Sequence, residues 1–133
     1  KWCLLEIICH LCDEEREDFY KRTKHLLETP RKPFSPIDPV GWVQERKYLE
    51  QNFDRKLQEF LALRQQSVEW LQALESPPWE NAMKHPKFGL MTAKLFLSNW
   101  LAHDYLHFRQ IVKLRYDYLQ QHTQENLTYA GKW

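Results

Sequence analysis

Trp100-Leu101-Ala102-His103-Asp104-Tyr105-Leu106-His107-Phe108-Arg109-Gln110 reads as part of one long amphipathic helix. A helix turns about 100° per residue, so positions four apart share a face. His103 and His107 are such a pair. Phe96, Asn99, His103, Leu106, Gln110, Leu114 and the Asp117/Tyr118 pair follow a near-heptad course, with His107 beside it. Both histidines therefore point toward the packed side. Burying two unpartnered imidazoles is costly, and one metal ion held by both would relieve that cost. The spacing alone is common, because core histidines that donate to carbonyls and solvated pairs use it too. It is not the His-Glu-x-x-His motif of zinc proteases, since Asp104 stands where that motif needs Glu.

Working outward, the helix opens at Thr92, a natural N-cap, and runs to about Gln121. The aromatic tail from Thr123 to Trp133 is expected to pack back on the body. Upstream, Trp79–Met91 reads as a loop holding His85, Pro86 and Gly89. Ser76-Pro77-Pro78 ends a second helix that begins near Asn52 or Phe53 and runs to about Leu74. Its apolar face includes Phe53, Leu57, Phe60, Leu61, Leu71 and Leu74. Further upstream, the four prolines and one glycine between Pro30 and Gly41 forbid regular helix. The irregular stretch, broken at most by a short helix, extends to about Asn52. Its length lets the chain cross a bundle, so that the helix after it can run parallel to the one before.

That earlier helix runs from about Cys3 to about Glu28. Leu4, Ile8, Leu11, Glu15 and Phe19 trace one stripe, and Cys3, Ile7, His10 and Glu14 trace its neighbour. The expected protein is all-α, a single domain over residues 1–133, with long helices near 3–28, 53–74 and 92–121 and no sheet. If packing brings His10 to His103 and His107, the three make a site with open coordination positions. That is the arrangement of a catalytic metal rather than a structural one.

Composition narrows the function classes. The net charge is +1 and no basic stripe stands out, which argues against direct nucleic-acid binding. No apolar run approaches the length of a membrane span, and no signal peptide is visible. Three cysteines, Cys3, Cys9 and Cys12, crowd into one helix. An odd count at helical spacing argues against a disulfide framework and for a reducing, cytoplasmic setting. Cys9-x-x-Cys12 has no second cysteine pair to complete a structural zinc site, so both thiols are read as small apolar fillers.

Several stretches together resemble the DinB-like superfamily. They are Lys1-Trp2, Cys9-His10-Leu11-Cys12-Asp13-Glu14-Glu15, His85-Pro86-Lys87-Phe88-Gly89-Leu90-Met91-Thr92, and Trp100 to Gln110. The resemblance covers essentially the whole chain in the same order. It implies a four-helix bundle with up-down-down-up connectivity and one divalent metal ion on three histidines, which carry over to His10, His103 and His107. The family's first helix precedes the Lys-Trp motif, so the three helices read here would be its second, third and fourth. Sequence is expected to be missing before Lys1, and a homodimer or another partner could complete the bundle. Family members with assigned activities include metal-dependent thiol S-transferases and a thiol-dependent isomerase. Others are labelled metal-dependent hydrolases or have no known function.

Three neutral imidazoles leave a bound ion its full double charge. Zinc or nickel suits such a donor set. The expected activity is thiol S-transfer with a small-molecule substrate, a low-molecular-weight thiol. Metal-dependent hydrolysis and a non-enzymatic metal-binding or interaction bundle are the alternatives. Asp13 and Glu14 follow His10 by three and four residues. They are the candidates for proton transfer or for supporting the ligands, set against plain exposed charge. Gln110 is expected to line the pocket, Asp104 to point off the metal face, and Trp100 and Arg109 to serve core and surface. His25, His85 and His122 read as ordinary surface or loop residues.

Overall fold

The computed structural model describes residues 1–133. Three long helical rods carry the fold. The first is α1 (Leu4–Asp13), a π-helical stretch (Glu14–Phe19) and α2 (Tyr20–Glu28), continuous with one another. The second is α4 (Phe53–Gln72) and the third is α5 (Ala93–Thr123). Between the first two rods lie the short α3 (Trp42–Glu45) and a 3₁₀ turn, Tyr48–Glu50. Side-chain caps set the starts of α4 and α5, the one at Thr92 as the sequence implies. Asn52 accepts from the Arg55 amide and Thr92 Oγ1 from the Leu95 amide, each filling one orphan donor of a first turn.

Cross-contacts give the directions. Arg16 meets Glu59, Glu15 meets Arg64 and Tyr20 meets Trp70, so the first rod and α4 advance in parallel. His10 meets His107, Phe19 meets Trp100 and Lys1 meets Asp117, so α5 runs back against both. The long proline-rich connection makes the parallel pair feasible, as its length implies.

Apolar contacts fall into three groups along the rods. Ile7, Ile8 and Leu11 pack with Phe53, Leu57, Phe60, Ile111 and Leu114. Cys9, Trp42 and Tyr48 form a second group on the side of α3. Leu26, Met91, Ala93 and Phe96 form the third at the far end. On its other face, α5 leaves Leu101, Tyr105, Phe108 and Val112 in solvent, at spacings of four, three and four. No helix is long and apolar enough to cross a membrane. In the tail, Trp133 stacks on Tyr116 with ring centroids 4.5 Å apart.

The expectation of no sheet is corrected. Ala82–His85 (β1) and Gly89–Thr92 (β2) pair antiparallel, from Ala82 opposite Thr92 to His85 opposite Gly89. Strands of four residues are too short to display a period-two pattern, so they read as loop. Gly89 sits at φ +74°, a conformation open to glycine at little cost, and lets the turn close. The hairpin is anchored through Met83 and Met91, which pack on the Leu26–Phe96 group. The first rod also departs from plain α-helix. In its middle the Tyr20 amide bonds back five residues, to the Glu15 carbonyl. Such π segments gather at functional sites.

Candidate metal centre

The apolar stripe of α1 faces α4, and this orients the rest of the helix. With Ile7, Ile8 and Leu11 packed in the seam between α4 and the later turns of α5, His10 is turned toward the His103–His107 stretch of α5. On α5 the inward positions are Phe96, Trp100, His103 and His107, at spacings of four, three and four. His10 and His107 are buried and His103 is half-buried. The structure thus brings together the three histidines singled out in the sequence.

Their Nε2 atoms converge. His103 Nε2 lies 3.3 Å from His10 Nε2 and 3.1 Å from His107 Nε2. The three rings offer one nitrogen each within 4.8 Å of one another, and no cysteine or carboxylate joins the group. Two imidazole nitrogens bound tetrahedrally to an ion at 2.0–2.1 Å stand about 3.3 Å apart. Two of the three spacings match that value, and three imidazoles suit a divalent transition-metal ion.

Electrostatics favour the same fit, because a ligand imidazole must be neutral. Burial, reinforced by His107 and His103, pushes His10 down to about 3. Burial also pushes His103 down to about 4, helped by His107 and opposed by Asp104. His107 is lowered by burial, against the Gln110 hydrogen bond and Asp104.

The other ring nitrogens show how each imidazole is held. His107 Nδ1 is 2.9 Å from Gln110 Oε1. A carbonyl oxygen only accepts, so Nδ1 carries the proton and the Nε2 lone pair is free. His10 Nδ1 is buried without a hydrogen-bond partner, as is Glu14 Oε1, and the two stand 4.0 Å apart. An imidazole bound through Nε2 keeps its proton on Nδ1, and Glu14 stands where that proton needs an acceptor. The Glu14 carboxyl is pushed up to about 8, first by burial and then by Asp18.

Asp13, the other acid expected to serve the site, is committed elsewhere. It accepts from Tyr48 Oη at 2.6 Å, pairs with Arg16 at 2.8 Å and pairs with Arg46 at 2.7 Å. These contacts tie α1 to the α3 segment. They leave Asp13 a structural anchor, and its expected part in proton transfer is not supported. Nearness along the chain misled here, because the i+3 position turned toward α3 and not toward α5.

A second network lies beside the triad and was not read from the sequence. Glu15 is buried and accepts from Arg64 Nε and Nη2 and from Trp100 Nε1, at 3.1, 2.8 and 2.8 Å. Arg64 also grips both oxygens of Asp104, at 2.6 and 2.9 Å. The first rod, α4 and α5 are thereby clamped next to His103. A signal existed in the sequence: Glu15 interrupts an otherwise apolar stripe, and a buried carboxylate demands a cation.

Cys9 and Cys12 do not approach the triad. Their thiols bond to the carbonyls of Tyr48 and Lys56, and burial pushes them up to about 11 and about 12. A cavity of about 350 Å³ adjoins the histidines, with His103 in its wall.

No curated protein matches the chain. A family model does, over a span that holds all three histidines, the hairpin and most of the three rods. The chain belongs to the DinB superfamily, whose model matches residues 1–111.

Proposed function

We propose that His10, His103 and His107 hold one divalent ion, zinc or nickel, and that the protein is a metal-dependent thiol S-transferase. The observation that carries this reading is the convergence of three neutral imidazole nitrogens with no fourth protein ligand. Three-ligand sites keep a position for an outside molecule. An ion bound there would favour the thiolate form of an incoming thiol at neutral pH. In the transfer, the thiol loses its proton to solvent, its sulfur bonds to an electrophilic carbon, and the leaving group departs with the electron pair of the broken bond.

The chain's own residues have positioning roles. Gln110 holds the His107 tautomer, and Glu14, 4.0 Å from His10 Nδ1, would orient His10 by accepting its proton once the ring is bound through Nε2. The Glu15–Arg64–Asp104 clamp sets the distance between the helices that carry the ligands. The reactive thiol comes from outside the protein, since Cys9 and Cys12 are buried, bonded to carbonyls and held protonated, and exposed Cys3 is not among the groups gathered at the triad. The choice of thiol chemistry over hydrolysis rests on the family resemblance.

The test is a titration of cobalt-substituted protein with several small thiols, read in the near ultraviolet. A thiol-dependent band that His103→Ala lacks is the expected result. No band with any thiol, together with turnover of an ester or amide, would move the reading to a hydrolase. Neither band nor turnover would leave a metal-binding module.

A further inference from the structure

The cavity that shares His103 with the triad is assembled from elements far apart in the chain. The π-helical stretch contributes Asp18 and Phe19, α2 contributes Arg22, the hairpin contributes His85, Phe88 and Met91, and α5 contributes the rest. Most of its lining is apolar, including Met91, Leu95, Phe96 and Leu106. At about 350 Å³ it lies at the small end of ligand pockets.

Its formal charges are paired, and one buried acceptor, Asp18 Oδ1, lacks a hydrogen-bond donor. Arg22 Nε stands 3.1 Å from Asp18 Oδ1, so the two formal charges offset each other. Arg22 also donates to the Ser35 carbonyl and lies over the Phe34 ring. Asn99 donates its amide to the Leu95 carbonyl. His85 differs. Its Nδ1 accepts from the backbone amides of Lys87 and Phe88, at 3.1 and 3.2 Å. With Nδ1 used as a double acceptor, the ring proton resides on Nε2, and Nε2–H is the ring's remaining donor.

We propose that this cavity binds a small neutral molecule with an apolar body and one carbonyl-type acceptor, which His85 Nε2–H fixes beside the triad. The inference rests on the metal-centre reading for what the bound molecule is for: it is the electrophile that receives the thiol. A charged ligand would find no uncompensated partner among these groups, and a purely apolar one would leave the His85 proton without an acceptor.

The experiment is an NMR titration with 4-phenylbutan-2-one and with butylbenzene, which lacks the carbonyl. It uses wild type, His85→Asn and Leu95→Glu, each chelator-stripped and zinc-loaded, with zinc per chain measured on the same samples. Asn can still accept from the i+2 and i+3 amides, so the turn is kept while the donor is withdrawn from the cavity. His85→Asn should weaken the ketone about three- to tenfold and leave butylbenzene within about twofold. Leu95→Glu should lose both ligands. Equal effects of His85→Asn on ketone and hydrocarbon, or undiminished binding to Leu95→Glu, would overturn the proposal. Zinc retained at one per chain alongside that result would leave the metal reading intact. The expected ligand pattern without zinc retention would support the cavity and overturn the metal reading instead.

Discussion

Two sets of metal-ligand residue types share α1 within a single turn, and they meet opposite fates. Cys9 and Cys12 turn toward α3 and α4, where each thiol finds a backbone carbonyl. His10 turns toward α5, where two more imidazoles wait. Cysteine is the stronger zinc ligand in isolation, yet a buried thiol held protonated binds no ion. The lesson is that a motif acts as a ligand set only when the neighbouring element supplies the rest of the shell. On one side of α1 that neighbour brought carbonyls; on the other it brought nitrogen lone pairs.

The largest effect should come from removing a ligand on the histidine side. His107→Ala is expected to abolish stoichiometric metal, while Cys9→Ser and Cys12→Ser retain it. Elemental analysis of the purified variants decides this, and a Cys12→Ser protein that loses its metal would reverse the comparison. Next comes the clamp that holds the two sides in register. Arg64→Ala strands the carboxylates of Glu15 and Asp104, and should cost about 3 kcal/mol of stability. Urea unfolding measures it; a loss under about 1 kcal/mol would show that the network is dispensable.

Glu14→Ala removes the acceptor beside His10 Nδ1. It should lower metal affinity about 10- to 100-fold with little change in fold. A competition titration against a zinc chelator reads that shift, and unchanged affinity would deny Glu14 its positioning role.

A smaller effect is set by pH in chelator-stripped protein. An unfolded chain binds protons on its imidazoles below about 6.5, whereas His103 resists down to about 4 and His10 to about 3. The unfolded state then holds more protons, so stability falls as the solution is acidified from 6.5. Glu14 acts in the opposite sense. Its folded carboxyl keeps a proton to about 8 that the unfolded one loses near 4.5, so stability also falls as pH rises through that range. The urea midpoint should therefore peak near pH 6.5, where the two effects cancel. A midpoint still rising steadily from pH 5 to 8 would contradict this balance. The smallest expected response is at the thiols themselves. A maleimide should label exposed Cys3 quickly in the folded protein and spare Cys9 and Cys12 until it unfolds.

Much of this was legible from residue order because it depends on local rules. The three rods, the Thr92 cap, the proline-rich crossing and the choice of His10, His103 and His107 all follow from periodicity, turn chemistry or family resemblance. The hairpin was not legible. Its strands are four residues long, and their pairing is justified by Met83 and Met91 reaching a core built by Leu26 and Phe96. Nor was the tautomer of His85, which is fixed by two amides in its own turn. The π segment left no sequence mark either, since its unusual bonds are made by backbone groups that every residue carries.

Taken alone, the sequence determined which faces of each helix are apolar and which side chains could carry chemistry, because helical spacing is a local property. It could not determine which apolar face meets which neighbour. That was decided when Ile7, Ile8 and Leu11 docked in the seam between α4 and α5, for the orientation of one face of a rigid helix fixes all the others. From that single docking follow the burial of His10 against His103 and His107 and the diversion of Asp13 to Tyr48 and Arg46. The conversion of Cys9 and Cys12 from candidate ligands into packed thiols follows from it as well.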